Sequence, residues 1–187
     1  MTKEIADKLA LDQYDIYNKH SLKKEAEMEN LTDDEFGLTR FISVQNRVYD
    51  SVLSELKSGQ KLTHWMWYIF PQIDGLGHSA TSKHYSIKSI EEAHEYLNHK
   101  VLGLRLLECA EAVLAIKGRS ASEIFGYPDD MKLKSSMTLF EYISDSGSVF
   151  ARVLDKSFHG EHDLKTLQLL DKLKGRQIKS LKRATAK

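Results

Sequence analysis

The sequence predicts an all-α protein, a single compact domain of about seven helices with terminal extensions, and three observations support this fold class. Apolar residues recur at steps of three or four along most of the chain, a spacing that lines one face of a helix. Only two prolines occur among the 187 residues, Pro71 and Pro128. No stretch alternates apolar and polar residues as the strands of a hairpin do.

The first strong helix signal follows a charged segment of about 30 residues that is only partly periodic. Gly59 is a plausible stop for this helix, and its apolar face is formed by Phe41, Val44, Val48, Val52 and Leu56. The aromatic segment "HWMWYIF" at 64–70 is predicted to be helical until Pro71 prevents continuation. Residues 71–85 lack periodicity and contain two glycines, so they predict a long loop, and long loops in compact domains are often functional.

Capping patterns mark the later helices. "SIEE" at 89–92 predicts a capping box in which Ser89 caps the helix and Glu92 reaches back to the first amide. A longer apolar helix follows through "VLGLRLLECAEAVLAI", and "SASE" at 120–123 repeats the capping pattern. Pro128 suits the first turn of the next helix. The last predicted helices are "SVFARVLDKSF" and "LKTLQLLDKL", the second capped by Asp163.

Charge divides the chain into three predicted parts. Residues 1–36, an acidic N-terminal extension, contain ten Asp or Glu and five Lys. Residues 37–171 form the predicted helical domain, and residues 172–187 form a solvated basic tail with seven Lys or Arg and no acid. Because 27 basic and 27 acidic residues balance over the whole chain, composition argues against nucleic acid as a partner. The tail also lacks interleaved aromatic residues for base stacking.

The composition also predicts a reducing, cytoplasmic location. Cys109 is the one cysteine, which excludes an internal disulfide and a Cys-based zinc site. No apolar run approaches the roughly 20 residues that span a bilayer, so no membrane partner is expected. The start "MTKEIADKLALDQYD" carries acids where a signal peptide has a basic segment and an apolar centre.

Four stretches of the sequence carry a family resemblance. "RFISVQNRVYDSVLSELKSGQKLTHWMWYIFPQIDGLG", "YLNHKVLGLRL", "IFGYPDDMKLKSSMTLF" and "FARVLDKSFHGEHDLKTLQLL" resemble, in order from about residue 40 to 170, the family known as domain of unknown function 1810. The resemblance implies a predominantly helical fold without an established activity. Such proteins often carry the label calpastatin, but that calpain inhibitor is disordered and rich in proline, whereas this chain has capped amphipathic helices. A more distant similarity, through the spacing of Phe41, Gln45 and Tyr49, is to proteins that cleave N-glycosidic bonds in ADP-ribosylated compounds and riboflavin intermediates.

The aromatic segment and the loop after it are the predicted ligand site. Apolar walls with a few converging polar groups are the usual form of a small-molecule site, and glycines let the backbone approach a ligand closely. The residues predicted to line such a site are Gln45, Tyr49, Lys61, Trp65, Trp67, Gln72, Gly75, Gly77, Ser79 and Tyr85. The alternative interpretation is structural: an aromatic helix that is apolar all round is usually buried, and the glycines could serve turns.

His64 and Asp130 are the predicted catalytic residues, since a histidine carries protons near neutral pH and a carboxylate can act as its partner. For His64 a structural role is the competing interpretation. "FHGEHD" at 158–163 lacks the spacing of a zinc motif, so no metal or cofactor is predicted. Three functions therefore remain. The first is a helical domain with a cleft for a small polar ligand, nucleotide-like or similar to ADP-ribose, which it could hydrolyse, and the second is a non-catalytic protein-interaction module. The third, which the composition disfavours, is nucleic-acid binding through the tail at 172–187, with an affinity that falls steeply with salt.

Overall fold

A computed structural model describes residues 34–184 of the chain, and within them it contains nine helices and one isolated parallel β-bridge between Ile73 and Ile87. The predicted all-α class is confirmed. The helices, numbered in chain order, are α1 Thr39–Ser58, α2 Met66–Ile69, α3 Ala80–His84, α4 Ile90–Asn98, α5 Leu102–Ala115, α6 Ala121–Phe125, α7 Asp129–Tyr142, α8 Val149–Phe158 and α9 Leu164–Ala184.

The chain divides into two units at Thr39. Of the first unit, the structure describes residues 34–39, where the Asp34 carboxylate accepts hydrogen bonds from the backbone N–H groups of Leu38 and Thr39, the latter at 2.9 Å. Residues 1–33 lie outside the described residues, and with them most of the predicted acidic extension.

Helix α7 lies at the centre of the second unit. It packs against α2, α4, α6, α8 and α9, and its Leu133, Met137 and Phe140 have no exposed surface. A row of aromatic contacts crosses this core. The Tyr96 ring lies 5.0 Å from that of Phe41 and 5.6 Å from that of Phe140, which in turn lies 5.6 Å from that of Phe150. The row therefore joins α1, α4, α7 and α8.

The predicted capping boxes differ in outcome. At α6 the box is complete, since Ser120 caps the helix and Glu123 returns to the Ser120 backbone N–H at 2.7 Å. At α4 Ser89 accepts from the Glu92 N–H, as expected. The Glu92 side chain, however, accepts the backbone N–H of Lys88 at 2.7 Å and pairs with Arg40. The buried carboxylate is thus used for a tertiary contact.

Three element boundaries differ from the sequence prediction. The aromatic segment is helical only over Met66–Ile69, and the predicted loop at 71–85 contains the short helix Ala80–His84. The last helix continues to Ala184, through most of the predicted solvated tail. A glycine at 175 and a polar sequence predict an end to the helix, but neither prevents the backbone from continuing its i to i−4 hydrogen bonds. Within residues 34–184, no helix is long and apolar enough to cross a membrane.

Candidate functional site

The loop at 71–88 is held closed at its base. The backbone N–H of Ile87 donates to the backbone carbonyl of Gln72 at 2.9 Å. The backbone N–H of Asp74 donates to the backbone carbonyl of Ile87 at 2.8 Å. Asp74 also accepts from the Ser86 hydroxyl at 2.8 Å and from Lys88 Nζ at 2.9 Å. Burial alone raises the pKa of Asp74, but these two partners outweigh it and hold the pKa below its ordinary 3.8.

Arg40 on helix α1 holds the C-terminal part of the same loop. Its Nε donates to the carbonyl of His84 at 2.9 Å, and its Nη2 donates to the carbonyl of Ser86 at 3.2 Å. The same guanidinium forms an ion pair with Glu92, whose exposed fraction is 2%. The loop is therefore anchored to two helices, and its conformation depends on a charge pair that is largely withdrawn from water.

A depression lies between this loop and the indole of Trp67. Trp67, Gln72 and Tyr85 are half-buried, and the Gln72 side-chain amide makes no hydrogen bond to any of residues 34–184. In this conformation the depression has room for about one water molecule. Its lining consists of Trp67, Gln72, Ile73, Asp74, Gly75, Leu76, Gly77, Ser82, Tyr85 and Ser86.

The two glycines of the loop have packing roles. Gly75 has φ +97°, a conformation that L side chains rarely adopt, and an added Cβ would lie 3.3 Å from Leu169 of helix α9. At Gly77 an added Cβ would lie 2.5 Å from the Cβ of Ser82. Ser79, another predicted ligand residue, caps helix α3 by accepting the Ser82 N–H at 3.1 Å. These contacts are sufficient to explain the residue types without a ligand.

A charged cluster also adjoins Trp67. Lys132 Nζ lies 4.4 Å from the centre of the Trp67 ring and 2.7 Å from Asp129. Lys61 Nζ lies 2.6 Å from the same carboxylate. Burial raises the pKa of Asp129, but the two ammonium groups outweigh it and hold the pKa below 3.8. Since one carboxylate faces two cations, the cluster has one net positive charge beside the indole.

Lys61 is less available to a ligand than the sequence predicts. Only 6% of its side-chain surface is exposed, and besides Asp129 it donates to the Thr63 carbonyl at 2.7 Å. Lys132, at 21%, is the more accessible of the two cations. Its placement over an aromatic ring has no signature in the sequence, because Trp67 and Lys132 belong to separate helices.

Trp65 belongs to the core, in line with the structural interpretation. It is 1% exposed, its ring contacts Phe70 and Phe125 at 6.2 Å, and its indole N–H donates to Glu55 at 2.7 Å. Trp65 does not line the depression. Glu55, which the sequence analysis did not single out, carries one signal: it is a carboxylate on the apolar face of α1, between Val52 and Leu56.

Gln45 and Tyr49 also have internal partners. The Gln45 amide, 1% exposed, donates to the Tyr68 carbonyl at 2.6 Å and to the Tyr96 hydroxyl at 3.0 Å. Tyr49 donates to Glu108 at 2.5 Å, and burial, followed by this carboxylate, raises its pKa above the ordinary value. Neither residue lines the depression.

The two predicted catalytic residues do not line the depression either. His64 is exposed, and its carbonyl accepts from the Tyr68 hydroxyl at 3.1 Å. Asp130 is 8% exposed and accepts from the Ser122 hydroxyl and from the backbone N–H of Met131, at 2.5 and 2.8 Å. These bonds satisfy the carboxylate within its own corner of the fold. Among residues 34–184 there is also no group of three His, Cys, Asp or Glu side chains that could hold a metal ion.

The structure thus defines a helical domain with one anchored loop facing a half-buried tryptophan. The profile of the family described as a protein of unknown function, DUF1810, matches residues 35–170, and the chain belongs to that family. A similar solved structure is the conserved hypothetical protein Rv1873 from Mycobacterium tuberculosis, 49% identical, with a TM-score of 0.73. The match covers 74% of this chain and 99% of that one. A search of curated proteins found no match.

Proposed function

We propose that the protein binds a small polar ligand at the depression between Trp67 and the loop at 71–88, here termed the loop site. The proposal rests on one observation: several of the predicted ligand residues lie together around this depression. They are Trp67, Gln72, Gly75, Gly77 and Tyr85. Trp67 and Tyr85 supply flat apolar walls, and the side-chain amide of Gln72 supplies both a donor and an acceptor.

The neighbouring charges support a ligand that combines a flat ring with an anionic group. The indole of Trp67 offers the ring a surface for stacking. Lys132, 4.4 Å from the centre of that ring, supplies the net positive charge of the cluster that it forms with Lys61 and Asp129. Nucleotides and compounds similar to ADP-ribose have both features, which makes them the first ligand class to test.

The size of the depression requires the loop to move when such a ligand binds. Space for about one water admits a single polar group but not a nucleotide ring. The contacts best placed to loosen are those of Asp74 with Lys88, since both side chains are about half exposed, at 48% and 50%. Arg40 and Glu92 would hold the C-terminal part of the loop, at His84 and Ser86, while the N-terminal part around Asp74 moves. Opening has a free-energy cost that reduces the apparent affinity.

The proposal is for binding without hydrolysis. A general acid or base must reach the reacting group directly or through one water. His64 and Asp130 are not part of the lining of the loop site, and the described bonds of Asp130 use both of its oxygens. The loop site has the chemistry to hold a ligand, and the predicted catalytic residues His64 and Asp130 lie outside its lining.

A thermal-shift screen against nucleotides, ADP-ribose, NAD and sugar phosphates tests the proposal. A ligand at 100 times its dissociation constant adds about 2.7 kcal/mol to the free energy of unfolding. We expect a stabilising ligand whose effect is lost in Gln72→Ala and kept in Gln168→Ala, a matched substitution at an exposed glutamine of helix α9. Equal loss in both variants, or no stabilisation by any compound, would contradict the proposal.

A protein-interaction module is the second candidate, and one surface favours it. Leu62 is 67% exposed, Tyr127 86% and Met131 45%. The backbone N–H of Lys61 donates to the carbonyl of Ile124 at 2.8 Å, which brings the segment containing Leu62 beside the turn containing Tyr127. Exposed large apolar side chains grouped in this way are typical of interaction surfaces. If the ligand screen gives no stabilisation, this surface becomes the better-supported candidate.

A further inference from the structure

Helix α9 extends beyond the packed part of the domain. Its first half packs against α7 and α4 through one face, on which Thr166 and Leu170 have no exposed surface. Beyond residue 170 the described side chains are mostly exposed, and those of Lys172 and Arg176 are among them. A Cβ added at Gly175 would meet no atom within 4 Å. The described side chains between residues 171 and 178 therefore lie mostly in solvent.

Five of the seven cations of the helix lie in a row. Between residues 164 and 184 the sequence has seven Lys or Arg and one acid, Asp171. At about 100° per residue, Lys165, Lys172 and Arg176 fall within about 40° of one another around the helix axis. The sequence continues this spacing at Lys179 and Arg183. The five positions define the basic row, which is about 27 Å long at 1.5 Å per residue.

The three members of the basic row whose side chains are described lie on the exposed side of helix α9. The buried positions Thr166 and Leu170 lie about 120° to 160° around the axis from Lys172. Lys165, Lys172 and Arg176 are all exposed, as this placement requires. A row of cations along the exposed side of a helix is suited to an extended anion.

We propose that the basic row of helix α9 binds the phosphate backbone of duplex nucleic acid. A duplex carries about one negative charge per 1.7 Å of its axis, and Lys and Arg side chains that neutralise phosphates release condensed counterions. Helix α9 contains no aromatic residue, so it lacks the stacking platform with which proteins hold unpaired bases. Contact with the backbone of a duplex needs no such platform.

The net charge of zero disfavours nucleic acid only when the chain is considered as a whole. Charges are screened over about 8 Å at physiological ionic strength. An anion at the basic row therefore experiences the nearby cations more strongly than the acids elsewhere on the domain. The helix produces a local positive surface that composition does not show, because it brings cations spaced along the sequence onto one face.

The arrangement favours nucleic acid over a membrane surface. A helix that lies in a lipid interface buries its apolar face, and cations beside that face reach the headgroups. Here the basic row is on the side opposite the apolar positions Leu170, Leu181 and Ala184. With those positions in the lipid, the row would face the water.

Fluorescence anisotropy of the full chain with a labelled DNA duplex of about 20 base pairs tests the proposal, over about 50 to 200 mM salt. Lys172→Gln/Arg176→Gln removes two charges of the row. Lys100→Gln/Lys117→Gln is the matched control, because it removes the same charge from exposed residues outside helix α9. We expect affinity to fall with salt, and the slope of log K against log salt to be smaller by about 2 in the row variant only.

Three results would overturn the proposal. One is the absence of binding to the duplex at the lowest salt. Another is an equal loss of affinity in the row variant and in the Lys100→Gln/Lys117→Gln control, which would indicate a general charge effect. The third is binding to phosphatidylserine vesicles without binding to the duplex, which would reassign the helix to a lipid surface.

Discussion

The indole N–H of Trp65 donates a hydrogen bond of 2.7 Å to the carboxylate of Glu55, which fastens the start of the aromatic segment to helix α1. The same carboxylate accepts the backbone N–H of Leu62 at 2.7 Å, and the backbone N–H and hydroxyl of Thr63 at 3.1 and 2.6 Å. One largely buried charge thus organises the connection that places Trp67 beside the loop site.

Replacement of Glu55 by Gln should destabilise the fold. The amide has one acceptor oxygen in place of two and presents an NH₂ group to donors that need an acceptor. Hydrogen bonds to charged groups contribute more than neutral ones, and donors left unsatisfied add a cost, so we expect a loss of about 2 to 4 kcal/mol. Urea denaturation measures it. Glu95→Gln, at an exposed position of helix α4, should change stability by less than about 0.5 kcal/mol.

Stability should fall in acid, and Glu55 should account for part of the decline. Burial raises the pKa of Glu55, but the bonds from Thr63, Leu62 and Trp65 outweigh it and hold the pKa below 4.5. A carboxyl with a depressed pKa stabilises the fold fully above its unfolded-state pKa, and this contribution is lost as the pH falls through the folded-state pKa. Unfolding free energies measured from about pH 5 to about pH 3 should decrease, with a shallower slope in Glu55→Gln. An identical slope in the variant would contradict this assignment.

Gly77→Ala should destabilise the loop, because the new methyl group would lie 2.5 Å from the Cβ of Ser82. Overpacking of this kind costs about 1 to 3 kcal/mol. Gly175→Ala is the matched control: it sits in open space within a helix and should stabilise by up to about 1 kcal/mol. Thermal unfolding of Gly77→Ala with and without Ser82→Gly isolates the clash. If Ser82→Gly gives no rescue, the glycine is needed for another reason.

Ser136→Ala should stabilise the protein. The Ser136 hydroxyl is fully buried and has no hydrogen-bond partner in the part of the chain that the structure describes. Removing an unsatisfied buried hydroxyl should stabilise by about 1 kcal/mol. Thr138→Val is the contrasting variant, because the Thr138 hydroxyl donates to Lys134 and accepts from the backbone of Asp163. Chemical denaturation should therefore shift in opposite directions for the two variants.

Local signals in the sequence were sufficient for most of the fold. Ser89 and Ser120 cap helices where the sequence predicts caps, and the apolar spacing of α1 buries Phe41, Val52 and Leu56. The extension of helix α9 to Ala184 has no local sequence signal, because a polar segment that contains a glycine does not by itself favour a helix. There the helix continues from a packed first half, which the sequence alone does not reveal.

The candidate site was only partly predictable, because its geometry depends on contacts between distant residues. Gln72 and Tyr85 are close in sequence and share the loop, so local reasoning placed them together. Gln45 has the same residue type as Gln72, but its amide is used by Tyr68 and Tyr96. The sequence does not associate Lys132 with the aromatic segment, because only the fold brings its Nζ to 4.4 Å from the centre of the Trp67 ring. Residue type indicates which chemistry is available, and the tertiary partners decide which groups stay free for a ligand.

The most direct test of the loop site is an NMR spectrum of the protein labelled with ¹⁵N-tryptophan, recorded during titration with ADP-ribose, NAD and AMP. The chain has two tryptophans, so the spectrum has two indole signals, which Trp67→Phe assigns. If the ligand binds at the loop site, the chemical shift of the Trp67 indole should change and reach a plateau as ligand is added. The signal of Trp65, which is bonded to Glu55, should not change. A shift confined to Trp65, or no shift in either signal with any of these compounds, would contradict the account.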